Sequence, residues 1–479
     1  MKVDIFIQAL QIVLRDHDFV PPSAQHPPVV LTQVCRLWRK IALSCPILWS
    51  SLDVTINCWY DLDRYREVIP LWISRSGNIP FSFRLLFSPN TGAGVHINQM
   101  YPVFKRLLDA STRWHIVQLI VRPESDNSDD LYYPGRHKYD FTALESLSFS
   151  AHPSVLKAYS QLLDVQSTTA PLLNTFRLDG DDILSPVPRY VVPDFGALNR
   201  LLLHNFTSLQ DCIQVLQSCI RSTDITICLG DLMYPVHMPT IIHSPAVIPQ
   251  LHSWKIRTFS GMTGLFDNFR IPNIQHLHVE FRWMMFENND EEPYLIANHP
   301  PWPQEAFISF ITRSACSITK LFFEDVHLSR GDLVDILVCV SSTLQELIIY
   351  GVGEPSVPCV DDEVLQLLTW KSETISNVCG HLWRICLIKC MRCRKGKFAQ
   401  MVMSRHQTAD ASSLDMVEVK VGVRSGMDID LREDFMYLKR SLGGVTVLSL
   451  YDRFGSPVTF EDSLDINTQP CSSVVQCRR

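Results

Sequence analysis

One six-residue pattern, apolar-x-x-apolar-x-apolar, recurs along this chain from about residue 141 and limits the possible folds more than any other feature. Its copies are Leu144-x-x-Leu147-x-Phe149, Leu173-x-x-Phe176-x-Leu178, Leu198-x-x-Leu201-x-Leu203, Leu251-x-x-Trp254-x-Ile256, Ile274-x-x-Leu277-x-Val279 and Ile318-x-x-Leu321-x-Phe323. It continues as Leu344-x-x-Leu347-x-Ile349, Leu382-x-x-Ile385-x-Leu387, Leu414-x-x-Val417-x-Val419 and Val445-x-x-Leu448-x-Leu450. Ser222-x-x-Ile225-x-Ile227 is a weaker copy that opens on a polar residue. The period-2 half of each copy predicts a strand with one buried face. Amphipathic helical segments fall between several copies, at Leu209–Ile220, Gln304–Thr312, Leu328–Val340 and Asp361–Lys371. Strands alternating with helices predict an α/β fold of parallel strands. A short unit cannot bury its apolar face alone, so the units are expected to stack as a curved solenoid.

Successive copies start 23 to 44 residues apart, most of them 23 to 32. Many steps fall near the 20–29-residue period of leucine-rich repeats. The longer steps require insertions. Most copies lack the Asn that closes such a turn; Asn205 after Leu203 and Cys390 after Leu382 come closest. An irregular leucine-rich-repeat-like array is therefore expected, and not a regular horseshoe. The pattern is short and also occurs in buried strands of other folds. The number of copies and their alternation with helices carry the reading.

Residues 51–140 show a looser version of the same alternation. Strands are predicted at Leu52–Ile56, Phe81–Phe87 and Ile116–Val121, with helices at Asp61–Ser76 and Tyr101–Ser111. Glu124–Tyr139 and Glu287–Pro303 read as polar exposed loops. After about Gly455 the periodicity is lost, and a mobile tail is expected over 456–479.

The composition is 46% hydrophobic and 19% charged, which is that of a globular chain. A net charge of −7 implies no general affinity for nucleic acid or anionic membrane. No run approaches the ~20 apolar residues of a membrane span. Asp4 and Arg15-Asp16 interrupt any signal-peptide pattern at the start. Fifteen cysteines, several in apolar contexts (Cys35, Cys212, Cys219, Cys228, Cys339), are then read as reduced, buried thiols of a cytoplasmic or nuclear protein.

Val30–Val54 is the densest local signal. Leu31, Val34, Trp38, Ile41 and Cys45 are spaced 3, 4, 3, 4, which predicts one helix with one apolar stripe. Arg36, Arg39 and Lys40 lie off the stripe. Thr32 is the expected N-cap. Pro46 ends the helix and suits the first position of a new short turn. Leu48 and Trp49 follow as large apolar groups, then Leu52 and Val54 as a strand. An ordinary core helix–turn–strand accounts for the stripe alone.

The run V-C-R-x-W-R-x-I-A-L-S-x-P-x-L-W-S-S-L, from Val34 to Leu52, also resembles the F-box-like domain family in the form abundant in mushroom-forming fungi. Leu71-Trp72-Ile73-Ser74-Arg75-Ser76-Gly77 and Ile79-Pro80-Phe81 resemble the helix-to-strand junction of the same proteins. The start departs from the family: Met1-Lys2-Val3-Asp4-Ile5-Phe6-Ile7 has no Leu-Pro-x-Glu lead-in, although Val3, Phe6, Ile7, Leu10 and Val13 or Leu14 make a helical apolar face. Pro21, Pro22, Pro27 and Pro28 mark the loop that follows.

The resemblance implies a short N-terminal α-helical F-box-like domain over 1–50. Beyond it would come a transition over 51–140 and the leucine-rich-repeat-like solenoid of parallel strands and helices over 141–455. It implies docking on a Skp-type adaptor of a cullin ubiquitin ligase, with the array binding a substrate protein and the chain performing no bond chemistry. Leu31, Val34, Cys35, Trp38, Ile41, Ala42, Pro46, Leu48 and Trp49 would form the adaptor-binding surface or the box core, and the sequence does not sort one from the other. The alternative is a repeat-based interaction scaffold with a vestigial box.

No Gly-rich phosphate loop, H-E-x-x-H, G-x-S-x-G or G-x-G-x-x-G occurs, so neither an enzyme nor a cofactor is expected. His381, Cys386, Cys390 and Cys393 place four soft ligands in 13 residues and could hold zinc. Against this, Cys386 falls in a predicted strand and a second close pair is missing. The basic cluster Lys389, Arg392, Arg394, Lys395 and Lys397 reads as a solvated turn and not a nucleic-acid site.

Overall fold

The computed structural model describes residues 19–89, 97–122, 139–151, 169–179, 195–206, 209–229, 245–258, 262–281, 285–286, 294–295, 301–351, 358–371, 377–406, 416–420, 431–442 and 447–451. The expected helix over Val3–Leu14, most of both predicted polar loops and the tail lie outside them. The chain divides into two compact units, 1–327 and 328–479.

The first unit is built on parallel strands that pair in chain order: β1 (Ser51–Ile56), β2 (Phe81–Phe87), β3 (Trp114–Val121), β4 (Ser146–Ala151), β5 (Thr175–Asp179), β6 (Arg200–Phe206), β7 (Asp224–Leu229), β8 (Ser253–Thr258), β9 (His276–Phe281) and β10 (Lys320–Glu324). Its helices are α1 (Leu31–Val34), α2 (Arg36–Leu43), α3 (Trp59–Arg75), α4 (Ile97–Leu108), α5 (Leu209–Ser218), α6 (Thr263–Asp267) and α7 (Gln304–Ser314). The second unit repeats the scheme with β11 (Glu346–Tyr350), β12 (Arg384–Ile388), β13 (Met416–Lys420) and β14 (Val447–Tyr451), again parallel and in chain order. Its helices are α8 (Arg330–Cys339), α9 (Asp362–Leu368), α10 (Lys397–His406) and α11 (Arg432–Leu442). The protein is thus mixed α/β with parallel strands, as the alternation predicts.

The register explains why the six-residue pattern recurs. Leu52, Phe83, Val117, Leu147, Phe176, Leu201, Ile225, Trp254, Leu277 and Leu321 are successive partners, and all are buried. Val54, Leu85, Leu119, Phe149, Leu178, Leu203, Ile227, Ile256, Val279 and Phe323 form a second buried column two residues on. In the second unit Leu347, Ile385, Val417 and Leu448 are successive register partners. A shift of one residue would turn each column to the opposite face, so burial holds the register. The columns reach Leu52 and Val54, well before the first copy counted in the sequence.

A backbone device repeats with them. The residue after the first apolar position of one unit accepts two N–H groups from the next. Asn174 O takes those of Asn199 and Arg200, Asn199 O those of Thr223 and Asp224, Thr223 O those of His252 and Ser253, and His252 O those of Gln275 and His276. Ser222, the polar exception in the pattern, is fully buried and donates its hydroxyl to Leu198 O at 2.9 Å. Its hydrogen bond offsets the cost of burying the hydroxyl group.

Helix ends are closed by arginines from later in the chain. Arg113 donates to Ile73 O, Ile79 O and Ser76 Oγ beyond α3. Arg313 donates to Phe266 O and Phe269 O around the end of α6. Arg405 donates to Leu368 O, Val378 O and Cys379 O beyond α9. Each guanidinium supplies a donor to one carbonyl in a helix's last turn (Ile73, Phe266 or Leu368) and ties it to carbonyls of the connection that follows.

Candidate functional site

Two regions merit description as sites: the Val30–Val54 window and a charged cluster on β8–β10.

In the window, the predicted single helix is two. Cys35 has an extended backbone and separates α1 from α2. Local hydrogen bonds make the break favourable. Cys35 Sγ accepts the Trp38 N–H at 3.5 Å, capping α2, and Arg39 Nε donates to Thr32 O at 2.8 Å, closing α1. Thr32 is not the N-cap. Val30 holds that place, and the Thr32 hydroxyl donates to Val29 O at 2.7 Å. Pro46 opens a 3-10 turn over Pro46–Trp49, as its fixed φ suggests.

The structure sorts the candidate residues. Leu31, Ala42, Leu48 and Trp49 are buried. Trp38 and Ile41 are half-buried, and Val34, Cys35 and Pro46 are exposed. Leu37, Leu43 and Ile47 are also exposed, with Leu37 at 65% the most open of the three. No apolar-stripe argument selects these three, because they lie off the predicted stripe. Cys35 and half-buried Cys339 depart from the expectation of buried thiols, while Cys212, Cys219 and Cys228 agree with it.

Trp49 fixes the window to the sheet. Its ring is 1% exposed and packs edge-on against Trp72 of α3, with centroids 4.8 Å apart. The Arg75 guanidinium lies 4.3 Å from its ring centroid. Its Nε1 donates to Ala42 O at 2.8 Å. Trp114 makes the same bond two strand–helix units later, from Nε1 to Leu107 O at 2.9 Å. Both tryptophans stand three residues before a column residue, Leu52 and Val117, and both reach the carbonyl seven residues upstream. The segment before α1 lines the β1 edge: Asp53 N–H donates to Val20 O at 2.8 Å. That contact covers an exposed strand edge.

The second region occupies the opposite face of the strands from the buried columns. Lys255 Nζ and Arg257 Nε lie 2.9 and 2.8 Å from Glu280 Oε2. His278 Nε2 is 3.0 Å from Glu324 Oε2, and its ring stacks on Phe322 at 3.8 Å. Glu280 and Glu324 are direct partners across β9 and β10. Two like charges so placed repel unless compensated; Lys255 and Arg257 compensate the first, and His278 hydrogen-bonds the second.

His278, Glu280 and Glu324 bring ligand atoms within 4.8 Å of one another. A metal there would face the two cations already on Glu280. The cluster is better matched to its own ion pairs than to a metal. The zinc candidates do not assemble: His381, Cys386, Cys390 and Cys393 are not among the groups that the described residues gather closely enough to share an ion. The Cys386 thiol is 3.9 Å from the Tyr350 hydroxyl, and the Cys390 thiol is 3.6 Å from Ile349 O. In the basic cluster Arg394 pairs with Asp362 and Lys395 with Glu433.

Burial, aided by Lys255, pushes the His278 imidazole below its ordinary pKa of 6.5, against the opposing effect of the hydrogen bond that Glu324 accepts from it. The folded state therefore favours neutral His278. Its contribution to stability is full above pH 6.5 and is lost as pH falls from there through the lower folded value. Thermal unfolding of wild type should fall more steeply between pH 7 and 5 than that of His278→Gln. Parallel pH profiles would contradict the assignment.

Neither models of known protein families nor curated protein sequences match this chain. No helix among the described residues is long and apolar enough to cross a membrane.

Proposed function

We propose that the protein is an F-box-like substrate-recognition subunit of a cullin-type ubiquitin ligase, with the strand ladder forming an irregular leucine-rich-repeat-like solenoid that binds a substrate protein. The observation that carries this reading is the split within the window that resembles the F-box. Leu31, Ala42, Leu48 and Trp49 serve as core, while Val34, Leu37, Leu43 and Ile47 leave large apolar groups in solvent within fourteen residues. Exposed apolar groups concentrated in one segment suit a partner surface. On α2, Leu37 and Ile41 are one turn apart and share a face. This face would dock on a Skp-type adaptor.

The role is positional. Holding a substrate lysine beside a charged conjugating enzyme raises its effective concentration, with no bond chemistry by this chain. Substrate contacts would fall on side chains opposite the buried columns, where Lys255, Arg257, His278 and Phe322 lie.

Co-purification of the full chain with a Skp-type adaptor tests the proposal. Leu37→Asp combined with Ile47→Asp should reduce adaptor capture at least tenfold with little change in thermal midpoint, since both residues are exposed. A wild-type chain that captures substrate proteins but no adaptor is instead a repeat scaffold with a vestigial box. Undiminished capture by the double variant would place the interface elsewhere.

A further inference from the structure

The second unit carries five cysteines between residues 359 and 393, and two of them are brought together from a distance in sequence. Val360 and Met391 form an isolated parallel bridge. Val360 N–H donates to Cys390 O at 3.1 Å, and Arg392 N–H donates to Val360 O at 2.8 Å. Cys359 and Cys390 each precede a bridged residue by one, so they lie side by side and their side chains leave the pair on the same face. Both are 4% exposed, and Cys359 is among the groups that hold the Cys390 thiol in its protonated form. Neighbouring parallel strands run about 4.8 Å apart. That spacing falls inside the Cα separation of roughly 4.4–6.8 Å that a disulfide requires.

We propose that Cys359 and Cys390 are a dithiol–disulfide pair, oxidised by a low-molecular-weight disulfide such as oxidised glutathione. One thiol loses its proton and attacks the small disulfide, forming a mixed disulfide and releasing one small thiolate. The second thiol loses its proton and attacks the protein sulfur of that mixed disulfide, releasing the other small thiolate. The two protons end on the two thiolates. Two protein thiols and one small disulfide thus become one protein disulfide and two small thiols, and the two electrons pass to the small disulfide.

The bond would close a loop containing α9 and β12 and tie together the connections that follow β11 and β12. Sequestration governs the rate. Burial raises the Cys390 thiol well above its ordinary range, so in the closed, reduced state Cys390 is a poor nucleophile. Reaction proceeds when residues 358–361 open locally, and the buried disulfide is correspondingly slow to reduce. This inference does not depend on ligase function.

The test equilibrates the full chain with oxidised glutathione, traps free thiols by alkylation, and maps peptides by mass. A peptide pair linking Cys359 to Cys390, lighter by two hydrogens, is expected, with Cys379 and Cys393 alkylated. The oxidised protein should unfold a few degrees above the reduced protein, and Cys359→Ser should abolish both the link and the shift. Alkylation or glutathionylation of both cysteines after equilibration, or a Cys386–Cys390 link, would overturn the assignment.

Discussion

Arg405→Ala is expected to destabilise the second unit by about 3–5 kcal/mol. Arg405 has no exposed surface. Its three donors meet Leu368 O, Val378 O and Cys379 O at 2.7, 2.8 and 2.8 Å. Hydrogen bonds to charged groups contribute roughly 1.5–3 kcal/mol each; shared partners make the sum less than additive. Burial holds the guanidinium below its usual pKa, but an arginine remains charged at any pH of interest. The alanine variant leaves the three carbonyls without these donors and opens a cavity. Arg405→Met, which refills most of the volume, should recover only part of the loss, because Leu368 O and Val378 O lose their donors while Cys379 O keeps the Leu382 N–H at 3.1 Å. Arg405→Lys should also recover little, since an ammonium cannot reproduce the planar fork. Urea unfolding of the full chain checks this through the midpoint at unchanged slope. A loss under 1 kcal/mol for Arg405→Ala would show that water or rearranged side chains satisfy the carbonyls.

Trp49→Ala should cost a comparable 3–5 kcal/mol, now in the first unit. The indole is 1% exposed, contacts Trp72 and Arg75, and bonds Ala42 O. Trp49→Phe separates the terms. It keeps much of the ring packing and forfeits the N–H; Ala42 O keeps the Cys45 N–H at 3.5 Å, so only the bond itself, about 0.5–1.5 kcal/mol, should be lost. Trp114→Phe should behave alike, because Trp114 makes the equivalent bond to Leu107 O. If Trp49→Phe were neutral while Trp49→Ala were severe, packing alone would hold α2 to the sheet. Because Ala42 O lies in α2, Trp49→Ala should also loosen that helix, which hydrogen exchange of residues 36–43 would report.

Much of the architecture was readable from local spacing. Leu147, Phe149, Ile385 and Leu387 declare a strand and its buried face by period alone, and the register brings such positions together because each column can be buried in only one way. The N-terminal helix was harder. Leu31, Val34, Trp38 and Ile41 carry a helical period, yet the chain breaks at Cys35, where a thiol cap and the Arg39 contact to Thr32 O compete with helix continuation. Periodicity reports which positions share a face if a helix runs through. It does not report a competing cap seven residues from its partner. The strands that carry Leu52, Phe83 and Val117 are likewise legible from local spacing, and Trp49 and Trp114 stand there in the leading apolar position.

Elements, strand faces and the parallel order follow from amino-acid spacing, because those properties depend on neighbours within a few residues. Tertiary packing alone sorts Val34 and Leu37 to solvent and Leu48 and Trp49 to the core, gathers Lys255, Arg257, His278, Glu280 and Glu324 from three strands, and lays Cys359 beside Cys390. Each of those outcomes depends on groups more than a dozen residues distant, whose approach is decided by which apolar surfaces can be buried together.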